Sequence, residues 1–164
     1  LIGEDEKVNE QTMFILKASA WLHDIGYMDS YENHEDSSIS ISIELLSELG
    51  LNMEIIKQIT DGINATRIPQ KASNQVQRII ADADLFNLGT DDFFKESEKL
   101  FNEWNKAKKN ISELEFMEIS SDFLINHHFL TEFAKKHLEP QKKRNLALLE
   151  KRIIEIKNKE AGLK

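Results

Sequence analysis

The chain has 164 residues, 40% hydrophobic and 30% charged, which suits one compact domain with a core large enough to fold unaided. Its net charge of -8 argues against broad, non-specific binding of nucleic acid, and no stretch approaches the roughly 18 apolar residues that span a bilayer. Cysteine is absent, so disulfides and thiolate chemistry are excluded and any metal must be held by His, Asp, Glu and water.

No signal peptide is evident, and a cytoplasmic location is expected. With only two prolines, six glycines and almost no strand-like alternation, the chain reads as helical throughout. The first predicted helix runs from about Asn9 to Leu22, with Met13, Phe14, Leu16, Ala18 and Trp21 at helical spacing and Gly26 as its stop. A polar loop is expected from Tyr27 to Glu32. The second helix, His34 to Leu49, carries Ile39, Ile43, Leu46 and Leu49 on one face and ends at Gly50. Asn52 caps a third, with Ile55, Ile56, Ile59 and Ile63.

Thr66 to Asn74, with Pro69 inside, reads as a connecting loop. A fourth helix spans Gln75 to Leu88, and Gly89 ends it. Thr90 or Asp91 caps a fifth, with Phe93, Phe94, Leu100, Phe101 and Trp104 inward. Ser112 and Glu115 form a capping-box pattern that opens a sixth, with Leu114, Met117, Phe123 and Leu124. Thr131 starts a short helix that ends before Pro140. The last helix, Gln141 to Lys159, is heavily charged and bears a Leu146, Leu149, Ile153, Ile156 stripe. No repeat or low-complexity tract interrupts this single predicted domain, with the charged helix 141–160 packed on it.

Two places carry chemistry. In Ala20-Trp21-Leu22-His23-Asp24-Ile25-Gly26 a His-Asp pair closes an apolar helix, where a charge is costly to bury. Imidazole and carboxylate together suit a first-row dication; the alternative is a simple helix end with Asp24 in solvent. In Ile79-Ile80-Ala81-Asp82-Ala83-Asp84-Leu85-Phe86 two carboxylates again interrupt an apolar helix. Asp82 and Asp84 stand about 200° apart on a helical wheel, so only one can face a shared site and the other serves a cap, an outer shell or solvent.

His23-Asp24-Ile25-Gly26 and Ala83-Asp84-Leu85-Phe86-Asn87 resemble the HD superfamily of metal-dependent phosphohydrolases, the similarity running from about Met13 to Gly89. The resemblance implies an all-α HD-domain bundle of about seven helices around a divalent metal (Mn, Fe, Co, Ni, Zn or Mg). It implies His23, Asp24 and Asp84 as ligands, with Asp82 as the alternative to Asp84. The pattern also has an earlier His. None precedes His23, so this ligand, on an N-terminal helix, is expected upstream of Leu1. Thr66 stands where two-metal branches carry a further His, which favours a single ion. The tract Asn126-His127-His128-Phe129-Leu130-Thr131, with Asn145 later, is similar to a bacterial subgroup of that superfamily.

What this resemblance implies is hydrolysis of a mono- or diester of a small phosphorylated substrate, a nucleotide foremost, without a membrane partner and with a homo-oligomer possible. Asp24, His34 and Glu35 are the candidate proton-handling residues, while the bland role for His34 and Glu35 is to start their helix and complement its dipole. Arg67 and Lys71, flanking Pro69, are candidate phosphate binders or part of a solvated loop. One of His127 and His128 is expected to reach the pocket or to sit in a helical kink. His137, Lys142, Lys143 and Arg144 are expected on a solvated helix face. The competing reading is a catalytically inactive HD-type module that senses a nucleotide or docks a protein.

Overall fold

The structure, a computed structural model, describes residues 1–29, 33–107 and 110–162. Among them every regular element is helical: α1 (Ile2–Asp5), α2 (Glu10–Leu22), α3 (His34–Glu48), α4 (Met53–Asn64), α5 (Gln75–Asp84), α6 (Phe93–Lys106), α7 (Glu113–Asn126), α8 (Glu132–His137) and α9 (Glu139–Gly162), with 3-10 turns at Ile25–Met28 and Phe86–Gly89. The all-α expectation holds. None of these helices is long and apolar enough to cross a membrane. The chain condenses into two compact units, Leu1–Leu85 with Leu130–Phe133, and Phe86–Phe129 with Ala134–Lys164.

In the first unit the core is Ile15, Leu46, Ile56, Ile59 and Ile63, with Ala18, Leu22, Ile39 and Val76 packed against it. Each such aliphatic side chain contributes about 1.5–3 kcal/mol when fully withdrawn from water. Asn52 and Asn74 cap α4 and α5 by accepting from Glu54 N–H and Gln77 N–H. The buried face of α2 differs from the apolar pattern: Ile15, Leu16 and Ser19 turn inward, whereas Trp21 is 86% exposed and Phe14 half-exposed. A close helix crossing sets this rotation. Ser19 Oγ donates to Ile15 O at 2.9 Å and lies 3.1 Å from Ile59 O on α4. A Cβ on Gly62 would come within 2.6 Å of that hydroxyl, so small residues let the helices approach, and Trp21, about 200° from Ser19, faces away.

The same principle corrects α3. Ser38, Ser42 and Leu46 are buried, while Ile43 and Leu49 of the expected apolar face are exposed. The loop expected from Tyr27 to Glu32 begins instead inside a 3-10 turn, and its residues 30–32 lie outside the described ones. The fourth helix ends at Asp84, earlier than Leu88, and the chain tightens into the second 3-10 turn.

In the second unit, the capping box of α7 is present: Glu115 N–H donates to Ser112 Oγ, and Ser112 N–H to the Glu115 carboxylate. Helix α6 starts after Asp92 without a side-chain cap, so neither Thr90 nor Asp91 caps it; the Thr90 hydroxyl donates to Asn87 O instead. Leu100, expected inward, is exposed, while Phe93 is buried. Pro140 lies in the first turn of α9, where its missing N–H costs nothing, so that helix opens at Glu139 rather than Gln141. Leu149 and Ile153 of its predicted stripe are buried.

Lys142 is the clear exception to the expected solvated face. It is buried, its ammonium donating to His127 O at 2.6 Å and pairing with Glu139 at 3.1 Å. Lys143, Arg144 and His137 are exposed as expected. Asn145, also buried, donates to Leu88 O and Thr90 O and ties α9 to the second 3-10 turn.

Candidate functional site

In the first unit the C-terminal ends of α2 and α5 and the first turn of α3 bring five polar side chains together. His23 is the C-cap of α2, and its Nδ1 lies 2.9 Å from Ala20 O, a contact that makes Nδ1 the donor and turns Nε2 outward. Nε2 stands 3.2 Å from Asp24 Oδ2 and 3.3 Å from Asp84 Oδ1. His34 Nε2 is 3.4 Å from Asp24 Oδ1 and 3.7 Å from Glu35 Oε1.

Gly26 governs how α3 meets this cluster. A Cβ there would sit 2.0 Å from His34 O, 2.5 Å from Ser38 N and 2.8 Å from Ser37 Cβ. The turn therefore lies flat on the first turn of α3, and Gly26 N–H donates to Ser38 Oγ at 2.8 Å. Gly26 is more than a helix stop: it presses His34 toward Asp24. Gly26→Ala is expected to cost about 3 kcal/mol or more in urea unfolding, because the obstruction is backbone and cannot swing aside. A loss below about 1 kcal/mol would mean the turn moves freely and does not position His34.

Tyr27, which the sequence placed in a plain loop, stacks on the His34 ring with centroids 3.8 Å apart. The only advance signal was an aromatic residue in a polar stretch. The stack fixes the plane of the imidazole while its Nε2 faces the carboxylates.

Burial lowers the His23 pKa, but the Asp84 hydrogen bond and the charges of Asp24 and Asp84 outweigh it, bringing it to about 9. Burial, reinforced by the charges of Asp84 and Glu35, raises the Asp24 carboxyl against the pull of His23 and His34. Three carboxylates share this region with two imidazoles, a combination that a cation would relieve.

The donor chemistry, imidazole nitrogen with carboxylate oxygens, suits a dication. Two donors on one such ion, each about 2.1 Å away, lie roughly 3.0–3.4 Å apart, and the His23–Asp24 and His23–Asp84 separations of 3.2 and 3.3 Å fall in that range. Among the described residues, however, no group of three or more His, Asp or Glu side chains is placed to hold a metal ion. The donors instead close on one another as ion pairs. The two His23 separations fit a shared ion, but the three side chains together are not arranged as a metal site.

Asp82 turns to the chain after α7. It is 0% exposed, and its carboxylate accepts from Leu130 N–H, Thr131 N–H (2.7 Å) and the Thr131 hydroxyl (2.7 Å). Of the two aspartates on α5, Asp84 faces His23 and Asp82 anchors the segment that leads into α8.

Arg67 is already engaged: its guanidinium forms a two-pronged pair with Asp36 and donates to Asn64 at 3.0 Å. Thr66 is buried and donates to Ile63 O, closing α4. Lys71 is exposed on the loop. His127 is buried in the second unit between Phe123 and Phe129, and His128 is exposed. Comparison with family models, with curated proteins and with solved structures finds no match.

Proposed function

We propose that the chain is the metal-binding core of an HD-type phosphohydrolase acting on a phosphate mono- or diester of a nucleotide or other small phosphorylated molecule. The observation that carries this reading is the meeting of the His23 imidazole with the carboxylates of Asp24 and Asp84, delivered by the ends of two different helices. The nucleotide as substrate rests on the HD resemblance alone.

His23, Asp24 and Asp84 would hold the dication. When bound, such an ion supplies a water acidic enough to act near neutral pH and a positive charge against phosphoryl oxygens. His34, braced by Tyr27, can accept or return a proton at Nε2, within 3.4 Å of Asp24 and 3.7 Å of Glu35. Glu35 places a second carboxylate beside that imidazole. Arg67 reaches a phosphate only by exchanging Asp36 for it, and Lys71 adds a second cation from the same loop.

A second reading is an inactive nucleotide-sensing or protein-docking module on the same scaffold, which needs no group of three side chains placed to hold a metal, and none is found among the described residues. One experiment separates them: metal analysis after incubation with Mn2+, then a panel of phosphomonoesters and phosphodiesters, for wild type and Asp24→Ala. The phosphohydrolase reading expects wild-type turnover that Asp24→Ala lowers by at least about tenfold together with its metal content. Folded wild-type protein that binds metal and cleaves nothing supports the second reading. Equal metal content and equal turnover in the variant remove the proposal.

A further inference from the structure

The second unit buries an imidazole that the proposed chemistry does not use. His127 caps the C-terminus of α7, is only 8% exposed, and neither ring nitrogen has a hydrogen-bond partner among the described residues. The ring lies edge-on to Phe129 with centroids 4.7 Å apart and roughly parallel to Phe123 at 6.0 Å. Its backbone carbonyl accepts from the buried ammonium of Lys142 on α9, and that ammonium also lies over the Phe129 ring at 5.4 Å.

A neutral imidazole fits this setting and a charged one does not. Protonation would place an unsolvated cation beside a second buried cation, with no acceptor for either N–H among the described residues. The charged groups acting on the ring are Lys142 and Glu139, both from α9, and His128 next to it in the chain; burial and Lys142 outweigh Glu139.

We propose that His127 is an acid-sensitive latch: neutral, it lets the α7 terminus and its Lys142 contact hold the N-terminal half of α9, and protonated, it releases them. The consequence is local. Asn145, one turn beyond Lys142 on α9, is fastened to the second 3-10 turn, so that turn loosens with the same helix half.

Burial and Lys142 hold the His127 pKa down at about 4, against 6.5 when the ring is free in the opened state. The opened state therefore binds more protons between these values, so closure is strong above pH 6.5 and is lost as pH falls toward 4. Between pH 7 and pH 5 the opening equilibrium should grow roughly twentyfold.

Amide hydrogen exchange of the intact protein, corrected for the intrinsic pH dependence of exchange, tests this in residues 139–149 with α4 as internal reference. Wild type is expected to lose about twentyfold protection in 139–149 from pH 7 to pH 5 while α4 is unchanged, and His127→Phe, which keeps the aromatic volume and cannot ionise, to change less than about twofold. Equal losses in both proteins, no loss in wild type, or loss spread evenly over 139–149 and α4 would overturn the latch. Should His127→Phe fail to fold, an NMR titration of the wild-type His127 ring decides: a midpoint far below the ordinary imidazole value supports the latch, and an ordinary one overturns it.

Discussion

Asp84→Asn is expected to lower the proposed metal-supported phosphoester hydrolysis by at least about a hundredfold, while leaving the protein folded. The substitution preserves volume and shape but removes the negative charge beside His23 Nε2, and an amide oxygen is a far weaker donor to a dication than a carboxylate. Loss of an outer hydrogen-bonding partner alone costs about ten- to a hundredfold in metal affinity or activity, so if Asp84 is the ligand proposed above its loss should cost no less than the upper end. Stability should change little, because Asp84 is partly solvent-exposed and its pairing with His23 is a partly screened contact. Thermal unfolding checks the fold, metal analysis the site, and turnover the chemistry. A folded Asp84→Asn protein with wild-type turnover and metal content would sink the assignment of Asp84.

Asp82→Ala is expected to do the opposite, destabilising the protein by about 3–5 kcal/mol without a specific effect on the catalytic turnover of the molecules that remain folded. The reason lies in what is left behind. Leu130 N–H, Thr131 N–H and the Thr131 hydroxyl all donate to this fully buried carboxylate, and alanine gives them nothing to donate to. Hydrogen bonds to a charged acceptor contribute about 1.5–3 kcal/mol each, and buried donors deprived of an acceptor add a desolvation cost. A fall in Tm of about 10 °C or more should follow for a chain of this size. Asp82→Asn, which keeps one acceptor oxygen, should fall between wild type and alanine. Asp82→Ala with wild-type stability would show that water or a rearranged loop takes over from the carboxylate, and the anchoring role would be withdrawn. Together, the two substitutions separate the aspartates by stability and by chemistry, two residues apart on one helix.

That separation also marks how far the sequence could be read. The wheel angle between Asp82 and Asp84 required different surroundings, but it did not reveal that Asp82 would meet a segment nearly fifty residues downstream. Helices α4 and α7 announced themselves through an asparagine and a serine cap, because a cap acts within three residues. Which faces turn inward was less legible. Trp21 and Ile43 fit an apolar pattern yet lie in water, whereas Ser19 is buried where α2 crosses α4 and Ser38 where the Gly26 turn lies on α3. Hydrophobicity ranks residues by transfer energy alone, and a close crossing selects for size.

Lys142 taught the same lesson in reverse. A lysine in a charged stretch reads as solvated, but a carbonyl and an aromatic ring more than ten residues upstream, with the carboxylate of Glu139 on its own helix, make its burial favourable.

By itself the sequence determined that the protein is helical and where most helices begin and end. These properties depend on periodicity and caps, which act over a few residues; a site shared by His23, Asp24 and one of Asp82 and Asp84 was implied by the HD resemblance alone. Only the tertiary structure decided that Asp84 is the aspartate that meets His23, that Gly26 sets His34 against Asp24, and that His127 is sealed beside Lys142. Those outcomes depend on which surfaces meet after the helices pack, and a contact between remote residues leaves no periodic trace in the chain.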